Sequence, residues 1–282
     1  MSVPVPLALF AGLVDDAAMF PPGNASAEDA VRSHLEHRQA WYAGLIGPLV
    51  VPDQQLVEVG RVALRRGSDA LDVSVINTGG AGGLVSLANR AVPGVRVVAV
   101  ESALRDLDDL AGNAARVAAA GAELDESVLA FVEIPYGPGW ERAVEAVEGA
   151  GLLGKIRTGS PDNTGTPAYA QLAEQLSVLV EADLPFKATA GLHHAQPTPG
   201  SDPDRPVQHG FVNLLVAVEG LIEGARKAEA AHLLRTSDAA SVSSWTDETV
   251  SRVRRRFRSF GCCGVLDPVN DLVTLGLVAE PQ

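Results

Sequence analysis

Lysine is nearly missing from this 282-residue chain: of 22 basic residues only Lys155, Lys187 and Lys227 are lysines, and the remaining nineteen are arginines. A lysine kept at the end of a buried strand therefore points to chemistry that a guanidinium cannot perform. An amine can lose its proton on desolvation and act as nucleophile or base, whereas arginine stays protonated. Two such lysines can equally be structural, their heads paired with buried carboxylates. Cysteine is scarce as well. Cys262 and Cys263 are the only two, and they are adjacent. Neighbouring residues rarely reach relaxed disulfide geometry, and two cysteines alone cannot cage a metal, so buried thiols in a reducing cytosol are expected.

No apolar stretch of about twenty residues is present to span a bilayer, and no basic start followed by an apolar core and cleavage site is visible. The expectation is a soluble, cytoplasmic protein. Net positive charge is lacking too: the formal net charge is −13. That argues against nucleic-acid and anionic-membrane partners. The one basic cluster, Arg252 to Arg258, reads as a solvated helix face in contact with acidic surface elsewhere. Hydrophobic residues make up 46% and charged residues 20%, enough for a large core and against disorder.

Short apolar runs alternate with longer Ala/Leu/Glu/Arg-rich segments. Eight runs read as strands: 7–14, 45–51, 71–76, 95–100, 129–134, 152–156, 185–189 and 211–216. Most are continuously apolar, as parallel strands buried on both faces are. Helical patterns cover 26–42, 53–66, 104–120, 139–148 and 168–181, with Ser26 and Asp53 as helix starts. Eight such units predict an α/β fold, a (β/α)8 TIM barrel of one domain over 1–282. Residues 219–282 are expected as appended helices and tail, packed on the barrel or on a second copy in a homo-oligomer. The alternative is an open doubly wound sheet. The run Gly79-Gly80-Ala81-Gly82-Gly83 has the wrong spacing and place for a dinucleotide site, and reads as a loop before a helix.

In a barrel, residues just past each strand's C-terminal end meet around one mouth. Here those positions hold Asp15, Asp16, Pro52, Asn77, Thr78, Glu101, Glu133, Lys155, Arg157, Lys187, Thr189, His193, His194 and Asn213. The concentration of carboxylates, amines and amides points to an enzyme acting on a small molecule. Two ammonium groups side by side in a dry pocket depress one another's pKa. The neutral amine can then form a Schiff base with a carbonyl, with Glu133, Glu101 or Asp16 moving the proton.

The segments Lys155-Ile156-Arg157-Thr158-Gly159 and Phe186-Lys187-Ala188-Thr189-Ala190-Gly191 resemble the sixth- and seventh-strand motifs of deoxyribose-phosphate aldolase and related class I aldolases. The resemblance covers about forty residues. It implies a lyase with Lys155 as the Schiff-base nucleophile and Lys187 as its electrostatic partner, needing no metal or other cofactor. The segment 71–77 is weakly similar to that family's aspartate-bearing strand. The family's glycine-rich phosphate loop is replaced by His209-Gly210-Phe211-Val212-Asn213, and Arg157 replaces a small polar residue. A carboxylate-bearing substrate gripped by Arg157, Asn77, Thr189, His193, His194 and Asn213 is therefore expected in place of a sugar phosphate. As a whole the chain also resembles a group of uncharacterised bacterial barrel proteins.

His193, His194 and His209 bracket a Pro/Gly/Asp-rich stretch, 195–208, expected as a lid or substrate-gripping loop. Metal ligation by a histidine with Asp15, Asp16 or Glu133 is an alternative, although no H-x-H or H-x-x-x-H spacing supports it. Two further functions stay open: a metal-assisted hydrolase, isomerase or lyase using Glu101, Glu133, Asp16 and a histidine, and a non-catalytic ligand-binding barrel.

Overall fold

A computed structural model describes residues 7–160 and 165–280. Its eight strands are β1 Val14–Asp16, β2 Ile46–Pro52, β3 Ala70–Asn77, β4 Gly94–Ala103, β5 Leu129–Glu133, β6 Leu153–Arg157, β7 Phe186–Thr189 and β8 Phe257–Cys262. Each pairs in parallel with the next, and β1 pairs with β8 to close the ring. The intervening helices are α1 Ala27–His37, α2 Leu56–Arg65, α3 Gly80–Ala88, α4 Leu110–Gly121, α5 Trp140–Gly149, α6 Tyr169–Glu181, α7 Phe211–Ile222, α8 Lys227–Thr236, α9 Asp247–Arg256 and α10 Leu266–Thr274. The protein is a (β/α)8 barrel with additional helices in its C-terminal part.

Local chemistry sets several boundaries. The Asp29 backbone N–H donates to Ser26 Oγ at 3.2 Å, and the Ser26 hydroxyl donates to Asp29 Oδ2 at 2.7 Å. This satisfies an end donor that the α1 backbone cannot. Helix α4 starts later than its pattern implied, because the Asp109 carboxylate accepts from the Gly112 N–H at 2.9 Å. On α2, Leu56, Val59, Val62 and Ala63 form the buried face, at the spacing of a helix packed on a sheet. The Gly79–Gly83 run opens α3, as expected of a loop leading into a helix.

Two strand expectations need correction. Residues 211–216 are not a strand: they begin α7, whose residues 211–218 are all buried. A short apolar run cannot be told from a fully buried helix by periodicity. The eighth strand is instead 257–262, so 219–282 is not an appendage; it contributes the staple that closes the barrel. Its apolar residues pack outward, Phe257 against Phe186 and Phe260 against Phe211, with ring centroids 5.4 and 5.0 Å apart. At the other end, 7–14 is not one strand either. Leu7–Leu9 form a 3-10 turn and only Val14–Asp16 pair.

The arginine run is not a uniformly solvated face. Arg252 and Arg256 form ion pairs with Glu223 and Asp183. The Arg254 guanidinium donates to the carbonyls of Phe257 (3.0 Å) and Ala11 (2.9 Å), tying α9 to the entry of β1. No helix among the described residues is long and apolar enough to cross a membrane.

Candidate active site

The barrel axis is lined by charge. Strand register sets Glu133 beside Lys155 and Lys155 beside Lys187 across β5, β6 and β7. Glu101, from β4, reaches between the two amines: its Oε2 lies 2.8 Å from Lys155 Nζ and its Oε1 lies 2.7 Å from Lys187 Nζ. Lys155 also meets Glu133 Oε2 at 3.0 Å, and Lys187 meets Asp15 Oδ2 at 2.6 Å. Hydroxyls finish the network, Ser74 donating to Glu101 at 2.6 Å and Ser259 to Asp15 at 2.7 Å. Below the cluster, Lys187 Nζ sits 5.3 Å from the centroid of the Phe131 ring, in cation–π range. With Arg157 donating to Glu133 Oε1 at 3.2 Å, Lys155, Lys187 and Arg157 face Asp15, Glu101 and Glu133. Every buried amine in the cluster thus has carboxylate partners, the condition under which buried charge is tolerated.

These contacts reverse one expectation. Lys187 is not depressed by its neighbouring amine, because Glu101 stands between the two. Burial alone would lower Lys187, but the Asp15 and Glu101 carboxylates outweigh it and hold the ammonium above the usual lysine value. Burial would likewise raise Glu101, yet Lys155 and Lys187 keep it far below the ordinary carboxylate range. Glu133 is lowered in the same way, burial being overcome by Lys155 and Arg157. Asp15 differs: burial pushes its carboxyl up, against the pull of Lys187 and Ser259.

A cavity of about 310 Å³ opens above this cluster at the C-terminal mouth. Lys155, Glu101, Glu133, Arg157, Lys187 and Thr189 line one side, and His193, Gln208 and Cys263 another. The β1–α1 loop supplies an apolar wall through Phe20, Pro21 and Pro22. The glycines that follow each lysine form the lip. Thr158 donates from its N–H to Thr189 O at 2.9 Å and from its hydroxyl to Ala190 O at 2.6 Å. Gly191 has φ +72°, and a Cβ on Gly159 would stand 3.1 Å from Gly191 Cα, so neither loop could come this close with a side chain. Ala190, also on the cavity wall, is held at φ 65°, a conformation costly for a non-glycine residue and found most at functional sites.

Other expected site residues lie elsewhere. Asp16 points away from the axis: its Oδ2 meets His34 Nδ1 of α1 at 3.0 Å, with both side chains buried. Successive strand residues face opposite sides, so it is Asp15 that enters the cluster, and Asp16 cannot move protons there. Asn77 ties the β3–α3 turn, donating to Gly80 O and Ser102 Oγ, both at 2.8 Å. Asn213 sits inside α7 and donates to Leu233 O and Ser237 O at 3.3 Å. His194 turns outward to Asp271 at 3.2 Å. None of these four lines the cavity. Residues 195–208 fold into a hairpin-like loop, with Thr198 and Gln208 bridged, and are fastened to the β6–α6 connection through Arg205 to Thr166 O and Tyr169 N–H to Asp204 O.

Ser74, Ser259 and Gln208 are not legible as site residues in the sequence, and Cys263, expected as a buried thiol, is partly exposed at the cavity. A polar residue inside the apolar run of β3 was the available signal for Ser74; the others needed the closed barrel. Among the described residues no three His, Cys, Asp or Glu side chains group as a metal site. No protein-family model matches the chain, and no curated protein matches it. The likeness to class I aldolases therefore rests on the two lysine motifs alone.

Proposed function

We propose that the cavity is the active site of a Schiff-base-forming lyase acting on a small, anionic carbonyl compound. One observation carries this reading: Lys155 presents its amine to the cavity with a carboxylate on either side, Glu101 at 2.8 Å and Glu133 at 3.0 Å. Glu133, at the cavity wall, accepts the Lys155 proton, and the neutral amine adds to the substrate carbonyl. The same carboxyl returns the proton to the carbinolamine hydroxyl, which leaves as water and gives the iminium. That cation draws the electron pair of the adjacent carbon–carbon bond as it breaks, while Glu133 takes the proton of the β-hydroxyl, whose oxygen becomes the carbonyl of the departing aldehyde. Reprotonation of the enamine and hydrolysis then free the amine.

Lys187 stays charged throughout. Its role is electrostatic: its ammonium holds Glu101 as an anion and in place beside Lys155. Arg157, half exposed at the rim, anchors the substrate carboxylate in the two-pronged manner of guanidinium groups. The free cysteines fit a reducing compartment.

Incubation with pyruvate and with glycolaldehyde, reduction by borohydride and intact mass measurement test the reading. A single adduct that maps to Lys155 is expected; no adduct with either compound overturns it. The two ion pairs on Lys155 also favour a second reading, in which Lys155 and Glu133 act as acid and base in an isomerase or lyase without a covalent intermediate. Turnover of a carbonyl substrate with no reducible adduct would select that one.

A further inference from the structure

Three side chains at the cavity rim form a constellation that the lysine chemistry leaves unused. Cys263 Sγ lies 3.5 Å from His193 Nε2. On the opposite edge of the same ring, His193 Nδ1 lies 3.0 Å from Asp267 Oδ2. Asp267 sits in the first turn of α10, His193 follows β7, and Cys263 follows β8. The parts are a nucleophile, a base within reach of it, and a carboxylate that orients the base by fixing its tautomer.

Exposure divides the two cysteines. Cys262 is buried and donates its thiol to Gly264 O at 3.3 Å. Cys263 is partly exposed, and it lines the cavity together with His193 and Lys155. Cys262 Sγ is 3.7 Å from Nδ1 while Cys263 Sγ is near Nε2. The two sulfurs thus address different ring nitrogens, and only Cys263 is placed to give its proton to Nε2. Gln208 lines the same cavity, and its Oε1 is buried without a hydrogen-bond partner.

We propose that Cys263 is a second nucleophile of this cavity, activated by His193 and oriented through Asp267, that captures aldehydes as hemithioacetals. His193 Nε2 takes the thiol proton, and the thiolate forms a sulfur–carbon bond with the carbonyl carbon. The C=O π pair moves to oxygen, which receives the proton back from Nε2. Nothing is oxidised or reduced, and the reverse steps release the aldehyde. The ligand class rests on the carbonyl reading of the cavity; the activated thiol does not. Such a group would hold the aldehyde fragment of a cleavage beside Lys155.

Alkylation of the full-length protein by iodoacetamide, followed by peptide mass mapping, tests this. An ordinary thiol titrates near about pH 8.5, so its alkylation rate rises roughly tenfold per pH unit below that. The Cys263 rate is expected to be nearly flat from about pH 6 to 9 and, at pH 6, to fall at least about tenfold in H193Q and severalfold in D267N. Cys262 serves as the unreactive internal control. Glycolaldehyde should slow Cys263 alkylation in both the native protein and K155M, because hemithioacetal formation needs no lysine. An ordinary pH profile for Cys263, a rate unchanged by H193Q, or no protection by glycolaldehyde overturns the proposal. Failure here is separable from failure of the Schiff base, since the pyruvate–borohydride adduct on Lys155 is mapped by peptide mass in the native protein, independently of alkylation at Cys263.

Discussion

Lys187 Nζ and Asp15 Oδ2 lie 2.6 Å apart although 172 positions separate them in sequence. The contact crosses from β7 to β1, past the intervening β8, and exists only because the ring is closed. Removing one partner of such a buried pair leaves an uncompensated charge, at a typical cost of about 3–5 kcal/mol. Asp15→Asn and Lys187→Met should each destabilise strongly. The double variant should be less destabilised than the sum of the two by about 1–3 kcal/mol. Denaturant unfolding of the four proteins reads this coupling, and strict additivity would remove the pair from the stability account.

Lys155→Met should keep the fold, because Glu101 retains Lys187 and Glu133 retains Arg157. It should lose the borohydride adduct completely. Asp16→Asn makes the opposite test. It disturbs the buried contact with His34 and the bond that Asp16 accepts from the Ala18 N–H, and should cost about 1–3 kcal/mol while the adduct forms at the native rate. A normal adduct in Lys155→Met, measured by intact mass, would remove the nucleophile assignment.

Arg157→Leu should weaken the half-saturation for pyruvate in adduct formation by at least about tenfold, the loss expected when a charge-assisted contact is removed. Glycolaldehyde, which carries no carboxylate, should be affected far less. Equal loss for both compounds would show that Arg157 acts through Glu133 and not on the substrate.

Two contributions to stability should be lost as the solution is acidified, while that of Asp15, whose carboxyl is raised, has the opposite sign. Glu101 and Glu133 have lowered folded-state values, so their contribution is present above the ordinary glutamate value of 4.5 and is lost as pH drops through the folded values. His209 is buried, which pushes it down from 6.5 to about 4, although Nε2 donates to Pro167 O at 2.9 Å. Below pH 6.5 the unfolded chain takes up a proton that the folded one refuses. About 3 kcal/mol is therefore lost between pH 6.5 and 4 from this residue alone. His209→Gln should flatten the stability curve in that window. At the alkaline end the sign reverses: the Lys187 contribution is full below 10.5 and declines as pH rises through its raised folded value.

Much of the barrel was legible because strands β2 to β7 are short apolar runs separated by amphipathic segments. The eighth strand was hidden by the polarity that makes it useful: Ser259 turns inward to Asp15, so Phe257–Cys262 never reads as continuously apolar. Conversely, 211–216 imitated a strand because every residue of it is buried. The lysines were legible as candidates through their scarcity, but their electrostatic state was not. The register that sets Lys155 beside Lys187 also admits Glu101 between them, and that carboxylate cancels the repulsion expected of neighbouring amines.

By itself the chain determines an alternating parallel architecture, an acidic surface and two amines carried to strand ends, because apolar periodicity and composition are local properties. Which of Asp15 and Asp16 looks inward depends on the phase of a three-residue strand, and the sequence does not set that phase until β2 and β8 flank it. The meeting of His193 with Asp267, 74 residues apart, and with Cys263 at one rim was decided only by closure of the barrel, which brings the ends of β7 and β8 together.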